Sequence, residues 1–279
     1  MAPRESLIMP SLLGLARSVR NIVPLSLVAA AGTAMMRVRG DPRRFEVDKD
    51  GQWVNRQPQG CFVSPEIHTA HYHQVAALVS GHWFHEYAPR PGDVVIDVGA
   101  GIGEDAVILS RLVGDEGLVH AIEAHPGTFQ CLQATVEQSA LRNVRTHRLA
   151  IMERDGCVTI SDDAHHLANS ILAGGDGIEV EGWSLDRFIE SAGHASIDLL
   201  KMNIEGAERG AMLGLGRHAG KIRHVAISCH DFIADGGGGD QFRTKDAVRG
   251  RLAELGFRVR ERSDANVPWE ADVLFGERL

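Results

Sequence analysis

The sequence predicts an α/β fold: a mostly parallel sheet closed by an antiparallel hairpin, with an N-terminal helical extension. Three observations carry that reading. From about residue 92 onward, short apolar runs alternate with helical patterns, the arrangement of right-handed βαβ units on a parallel sheet. The first run passes into the first helix through a turn holding Gly99, Gly101 and Gly103. The last two runs, residues 257–262 and 271–275, are joined by a stretch too short for a crossover helix, so they pair antiparallel.

The elements follow in order. Residues 93–98 form a continuous apolar strand entered from the Pro91–Gly92 turn. Residues 104–113 place Val107, Ile108, Leu112 and Val113 at a helical period. Residues 118–123 are the second strand, and Pro126 opens a helix at a favoured early position, with Phe129, Leu132 and Val136 as its inner stripe. Residues 144–149 make a third strand and 157–160 a short additional one. Ser184 caps a helix that turns Leu185, Phe188 and Ile189 inward.

Residues 197–204 read as the next strand, with Leu200, Met202 and Ile204 on one face and Lys201, Asn203 and Glu205 on the other. A helix over 207–215 and a strand over 225–228 follow. Four consecutive glycines within 235–240 read as a mobile loop, and the helix over 244–255 stops at Gly256. The main domain therefore spans 91–279, and residues 1–90 form a helical cap with irregular segments.

Composition excludes some functions. The chain has 279 residues, 44% of them apolar and 24% charged, and a formal charge of −8 that argues against a nucleic-acid-binding surface. Cys61, Cys131, Cys157 and Cys229 lie far apart with no CxxC pair, which fits reduced thiols in a cytoplasmic protein. The apolar stretch 22–36 is too short for a membrane span. It reads instead as a helix that packs on the main domain, closes its site, or joins two subunits of a homo-oligomer. His68, His71, His73, His82 and His85 read as polar-face histidines of a helix, since no HExxH-like ligand spacing accompanies them.

Two local signals carry chemistry. In VIDVGAGIGED (95–105) a strand ends near Asp97 and a glycine turn opens a helix, so the backbone can approach a nucleotide-like ligand closely. A dinucleotide fingerprint wants glycine at position 104, where this chain has Glu104. A carboxylate there opposes a pyrophosphate but not a ligand bearing an amino acid and a cationic sulfur. Glu123, at the end of the second strand, is placed to accept hydrogen bonds from both hydroxyls of a ribose.

These parts resemble a Rossmann-like class I S-adenosylmethionine-dependent methyltransferase and, more narrowly, the FkbM family. The residues that carry the resemblance are PGDVVIDVGAGIGED (91–105), AIEAHP (121–126), SLDRF (184–188) and LLKMNIEGAE (199–208). The resemblance implies S-adenosyl-L-methionine as cofactor and O-methylation of a hydroxyl on a sugar, lipid or secondary metabolite, a small-molecule or glycan acceptor. The expected cofactor contacts are Asp97, Gly99, Ala100, Gly101, Gly103, Glu123, Ala124, Asp162, Asn203 and Glu205. Asp163, Asn169 and Ser170 stand as further contacts for adenine or acceptor. The family usually has Asp where this chain has Asn203, and an amide is a poorer ligand than a carboxylate for Mg²⁺, so a divalent metal is disfavoured.

The next strand ends in Ser228, Cys229, His230 and Asp231, where open sheets bind ligands. His230 is the expected general base, because an attacking alcohol must lose its proton and His titrates near neutral pH. Asp231 is expected to orient it, and Asn203 completes the catalytic set. Lys201 reads as a snorkelling strand lysine and Glu208 as a solvated first-turn acid. Two rival readings are an NAD-dependent oxidoreductase and a non-catalytic scaffold on the same fold.

Overall fold

A computed structural model describes residues 23–161 and 177–278. Helix α1 (Leu25–Val38) leads into an antiparallel meander of β1 (Arg44–Val47), β2 (Trp53–Gln57) and β3 (Gly60–Ser64). The reading of 1–90 as helical and irregular is corrected by this sheet. Its signal is hidden chiefly because β2 and β3 are covered on both faces. Phe45 and Trp53 pack with Ala29 and Met36 of α1, while Val54, Cys61 and Val63 form a separate buried cluster. Even the polar Asn55 and Gln57 are buried, their amides donating to the Ala70 carbonyl at 2.9 and 3.0 Å. No polar alternation survives to mark β2 and β3, and in β1, where Arg44 and Glu46 are exposed on either side of buried Phe45, it lasts only four residues.

Helix α2 (Tyr72–Trp83) precedes β4 (Val94–Val98), α3 (Glu104–Val113), β5 (Leu118–Glu123), α4 (Pro126–Gln138) and β6 (Val144–Arg148), close to their predicted bounds. His68 and His71 lie before α2 and His85 after it, so the five histidines do not share one helix face. A small second sheet holds β7 (Ala150–Met152), β8 (Gly156–Ser161) and β9 (Gly177–Ser184). Strand β9 is not legible in the sequence, because two glycines interrupt it and Val180 is its one buried large apolar residue. Helix α5 (Leu185–Ala192) is capped as expected, the Ser184 hydroxyl accepting from the Arg187 amide at 3.3 Å.

Strand β10 (Ile197–Met202), helix α6 (Glu208–Leu213), strand β11 (Ile222–Ser228), helix α7 (Lys245–Glu254) and strands β12 (Phe257–Glu261) and β13 (Val273–Arg278) complete the chain. The seven-stranded sheet runs β12-β13-β11-β10-β4-β5-β6, with β13 antiparallel to both neighbours. Val95 and Leu199 face the layer holding α2 and α3, whereas Ile96, Val98, Leu200 and Met202 face the layer holding α5, α6 and α7. Residues 235–240, read as a mobile loop, include a short helical turn over Ala234–Gly238. Among the described residues no helix is long and apolar enough to cross a membrane.

The strand expected to reach residue 204 ends at Met202. The Asn203 amide still donates to the Val98 carbonyl at 2.9 Å, but Glu205 then takes φ +43° and Gly206 φ +90°, and the chain turns into α6. Lys201, Asn203 and Glu205 therefore do not share a strand face. Lys201 stays in the sheet, and the other two stand at its edge.

Candidate active site

The glycine turn is built from two different constraints. Gly99 has φ +76°, and a Cβ there would lie 2.0 Å from the Asn203 carbonyl oxygen, so this glycine lets the ends of β4 and β10 touch. Gly101 has φ +56° with nothing within 4 Å of a Cβ position, so its bare backbone faces open space. At Gly103 a Cβ would meet Leu132 of α4 at 2.8 Å. Only the middle glycine leaves room for a ligand.

That space is a cleft at the carboxyl edge of β4, β5 and β10. Gly99, Gly101, Glu123, Ala124, Asn203 and Glu205 line it, six of the expected cofactor residues. Ile122, Leu149, Ile151 and Ile160 supply an apolar wall. Asp97, Ala100 and Gly103 are not in the lining, and Asp162, with Asp163, Asn169 and Ser170, lies outside the described residues.

Glu123 anchors the cleft. One carboxylate oxygen accepts from the Gly101 amide at 3.0 Å and the other from the His125 amide at 2.9 Å. A carboxylate has about four lone-pair sites, so acceptor capacity remains for a further donor. Burial pushes its carboxyl up to about 7 against the pull of these amides, and the nearby Asp97 adds to the rise.

Asp97 serves the framework instead. It pairs directly with Lys201 across β4 and β10, and both side chains enter the layer beneath α2 and α3. Lys201 does not snorkel: it is 2% exposed, and its ammonium lies 2.7 Å from Asp97, 2.8 Å from Asp105 and 4.6 Å from the centre of the Trp83 ring. A buried charge persists only when paired, and here it has two carboxylates and an aromatic face. Burial raises the Asp97 carboxyl and the Lys201 ammonium draws it back down. Nearby His82 is pushed down to about 4 by burial and by Lys201, so it adds no positive charge near neutral pH.

The third group sits where β11 ends. His230 is buried, and its Nδ1 lies 2.6 Å from Glu208 Oε1. A carboxylate only accepts, so Nδ1 carries a proton, and in the neutral imidazole the lone pair falls on Nε2. Glu208 is fully buried rather than solvated, because three donors enclose it: His230, the Gly206 amide at 3.0 Å and the Thr244 hydroxyl at 2.9 Å. Asp231 does not orient His230. Its carboxylate accepts from the Thr244 and Lys245 amides at 2.9 and 3.0 Å and so caps α7.

His230 itself does not line the cleft; it lies near Glu205, whose carboxyl is raised by burial. Glu208 and Lys201 are two of the residues that sequence reasoning places wrongly. Their one local signal is their shared place in LLKMNIEGAE.

A family model, the Methyltransferase FkbM domain, matches residues 97–259. The chain belongs to the FkbM methyltransferase family. It is 28% identical over 176 residues to 31-O-demethyl-FK506 methyltransferase FkbM of Streptomyces tacrolimicus, covering 51% of this chain and 67% of that protein. It is 31% identical over 100 residues to protein-L-isoaspartate O-methyltransferase of Aeropyrum pernix, covering 32% of this chain and 38% of that protein. A solved FkbM methyltransferase from Methylobacillus flagellatus superposes with a TM-score of 0.50 at 19% identity. That match covers 74% of this chain and 49% of the other, and it supports the fold.

The residues of this FkbM cleft fit S-adenosylmethionine. Gly101 offers open backbone, Glu123 offers two acceptor oxygens, and an apolar wall lies opposite. Among the described residues no three His, Cys, Asp or Glu side chains converge as metal ligands.

Proposed function

We propose that this chain methylates a hydroxyl oxygen of a small-molecule or glycan acceptor, using S-adenosylmethionine. The observation that carries the reading is the His230–Glu208 pair at the sheet edge that also forms the cleft. S-adenosylmethionine supplies a methyl carbon on a cationic sulfur and leaves as S-adenosylhomocysteine. The chain's own residues do the rest. Glu123 holds the ribose hydroxyls, Gly99 and Gly101 admit the ligand to the backbone, and Ile122, Leu149 and Ile160 flank the flat base. Asn203 and Glu205 stand where cofactor and acceptor meet.

His230 accepts the hydroxyl proton at Nε2 as the oxygen attacks, and Glu208 stabilises the imidazolium through Nδ1. Thr244 and the Gly206 amide hold Glu208 in position for that task. The reaction is a displacement, in which positioning and the exclusion of water supply much of the rate.

Transfer of labelled methyl from S-adenosylmethionine into fractionated small-molecule extract, with and without a chelator, tests the activity and its metal dependence. Replacing His230 by Ala lowers turnover by about 10²–10⁴-fold at unchanged cofactor affinity. Undiminished turnover in that variant removes His230 as the base.

A further inference from the structure

A second cavity opens beside the cleft on the α6 side of the sheet. Ile151 lines both spaces, and the chain passes from Ile204 and Glu205 in the cleft wall to Gly206 and Ala207 in the cavity wall. Thr244 lines the cavity too, and its hydroxyl is the one that holds Glu208 against His230. Glu208 is thus held by Gly206 and Thr244, which both line this second space, while Glu205 lines the cleft. Resting on the reading of the chain as a methyltransferase, we propose that this cavity is the acceptor pocket and that the acceptor has an apolar body and one anionic group.

The apolar part follows from the walls, which are Ile151, Met152, Ala207 and the backbone of Gly206 and Gly210. The charge follows from the pairing of the ionic side chains. Glu153 lies 3.3 Å from Arg154, and Asp240 lies 3.2 Å from Arg243, which also holds Asp235 at 2.8 Å. Arg209, exposed on α6, lines the cavity without an ion pair among the described residues. A guanidinium presents a fork of donors that matches a carboxylate, sulfate or phosphate. A neutral or cationic acceptor would leave it unused.

Titration of the full chain, saturated with S-adenosylhomocysteine, with octyl sulfate, octanol and octylammonium tests the proposal by binding alone. Octyl sulfate binds at least about tenfold more tightly than the other two, since charge-assisted bonds are the stronger kind. In Arg209→Ala this preference collapses while S-adenosylhomocysteine affinity is unchanged, which also shows that the variant is folded. Gly210→Phe projects its ring into space that holds no protein atom within 4 Å of the Cβ position and weakens all three ligands. Equal binding of octanol and octyl sulfate overturns the proposal, as does an octyl sulfate affinity that survives Arg209→Ala. Failure of S-adenosylhomocysteine to bind the wild-type chain instead overturns the methyltransferase reading beneath it.

Discussion

The cofactor cleft and the Glu208–His230 pair stand at the same carboxyl edge, yet they are built in opposite ways. The cleft is mainly backbone: a turn whose glycines are fixed by left-handed φ values and by close approach, with one carboxylate pinned by two amides. The pair is mainly side chain, drawn from α6, the end of β11 and the entry to α7, with the Gly206 amide its one backbone donor. A backbone site is stiff because few torsions can vary, whereas a side-chain site depends on burial and on every partner being present. Gly99 offers the most severe test of the first half. Gly99→Ala adds a Cβ 2.0 Å from the Asn203 carbonyl at φ +76°. The cost is on the order of 4 kcal/mol or more, in the range reserved for backbone strain and overpacking. Gly101→Ala meets no atom within 4 Å and should cost only roughly 1–2 kcal/mol of left-handed strain, while still obstructing the ligand. Thermal melts of the two variants separate framework glycine from ligand glycine. Equal melting temperatures would dissolve the distinction.

The Lys201 cluster tests the other side of the comparison, because it is a side-chain construction placed under the backbone turn. In Lys201→Met the buried Asp97 loses its cation, and Asp105 remains close by. Removing one partner of a buried pair costs about 3–5 kcal/mol. Adding Asp97→Asn to Lys201→Met removes the stranded charge and returns part of that loss. Denaturant titration of both single variants and the double gives the coupling directly. A Lys201→Met protein as stable as the wild type would mean that the cluster contributes nothing to holding β4, β10 and α3 together.

The same contrast explains what could be read from the sequence. Gly99, Gly101 and Glu123 are legible because their requirements are local: a turn at a strand end, and an acid at the end of the next strand. The closing antiparallel pair of β12 and β13 is legible for the same reason, since a short connection leaves no other pairing. Lys201 is misplaced by local reasoning because its partner is set by the neighbouring strand's register, which aligns it with Asp97. Glu208 looks like a surface acid until the entry to α7 folds over it and supplies Thr244. Asp231 looks like the partner of its neighbour His230 until α7 claims its carboxylate. In the N-terminal meander β2 and β3 are hidden by burial on both faces, which erases the alternation that marks a half-exposed strand, and β1 keeps it over only four residues.

Glu123 gives the mildest and most specific test, because its carboxyl stands up at about 7 through burial. The sign differs for folding and for binding. Its ordinary value is 4.5, so the folded state favours the protonated form. The stability that this group contributes is therefore fully present below pH 4.5 and is lost as the pH rises through about 7. Binding runs the other way, since a protonated carboxyl has given up an acceptor that two ribose hydroxyls require. S-adenosylmethionine affinity should fall by up to about tenfold for each pH unit below the folded-state value, and Glu123→Gln should bind weakly with a flat profile across the same range. Calorimetric titrations between pH 5.5 and 8.5, a window of about 1.5 units on either side of that value, compare the two directly. A wild-type affinity that does not change with pH, or a Gln variant that binds as tightly as the wild type, would take the ribose contact away from Glu123. The cleft would then be held by backbone alone, and the contrast with the side-chain pair at His230 would become sharper still.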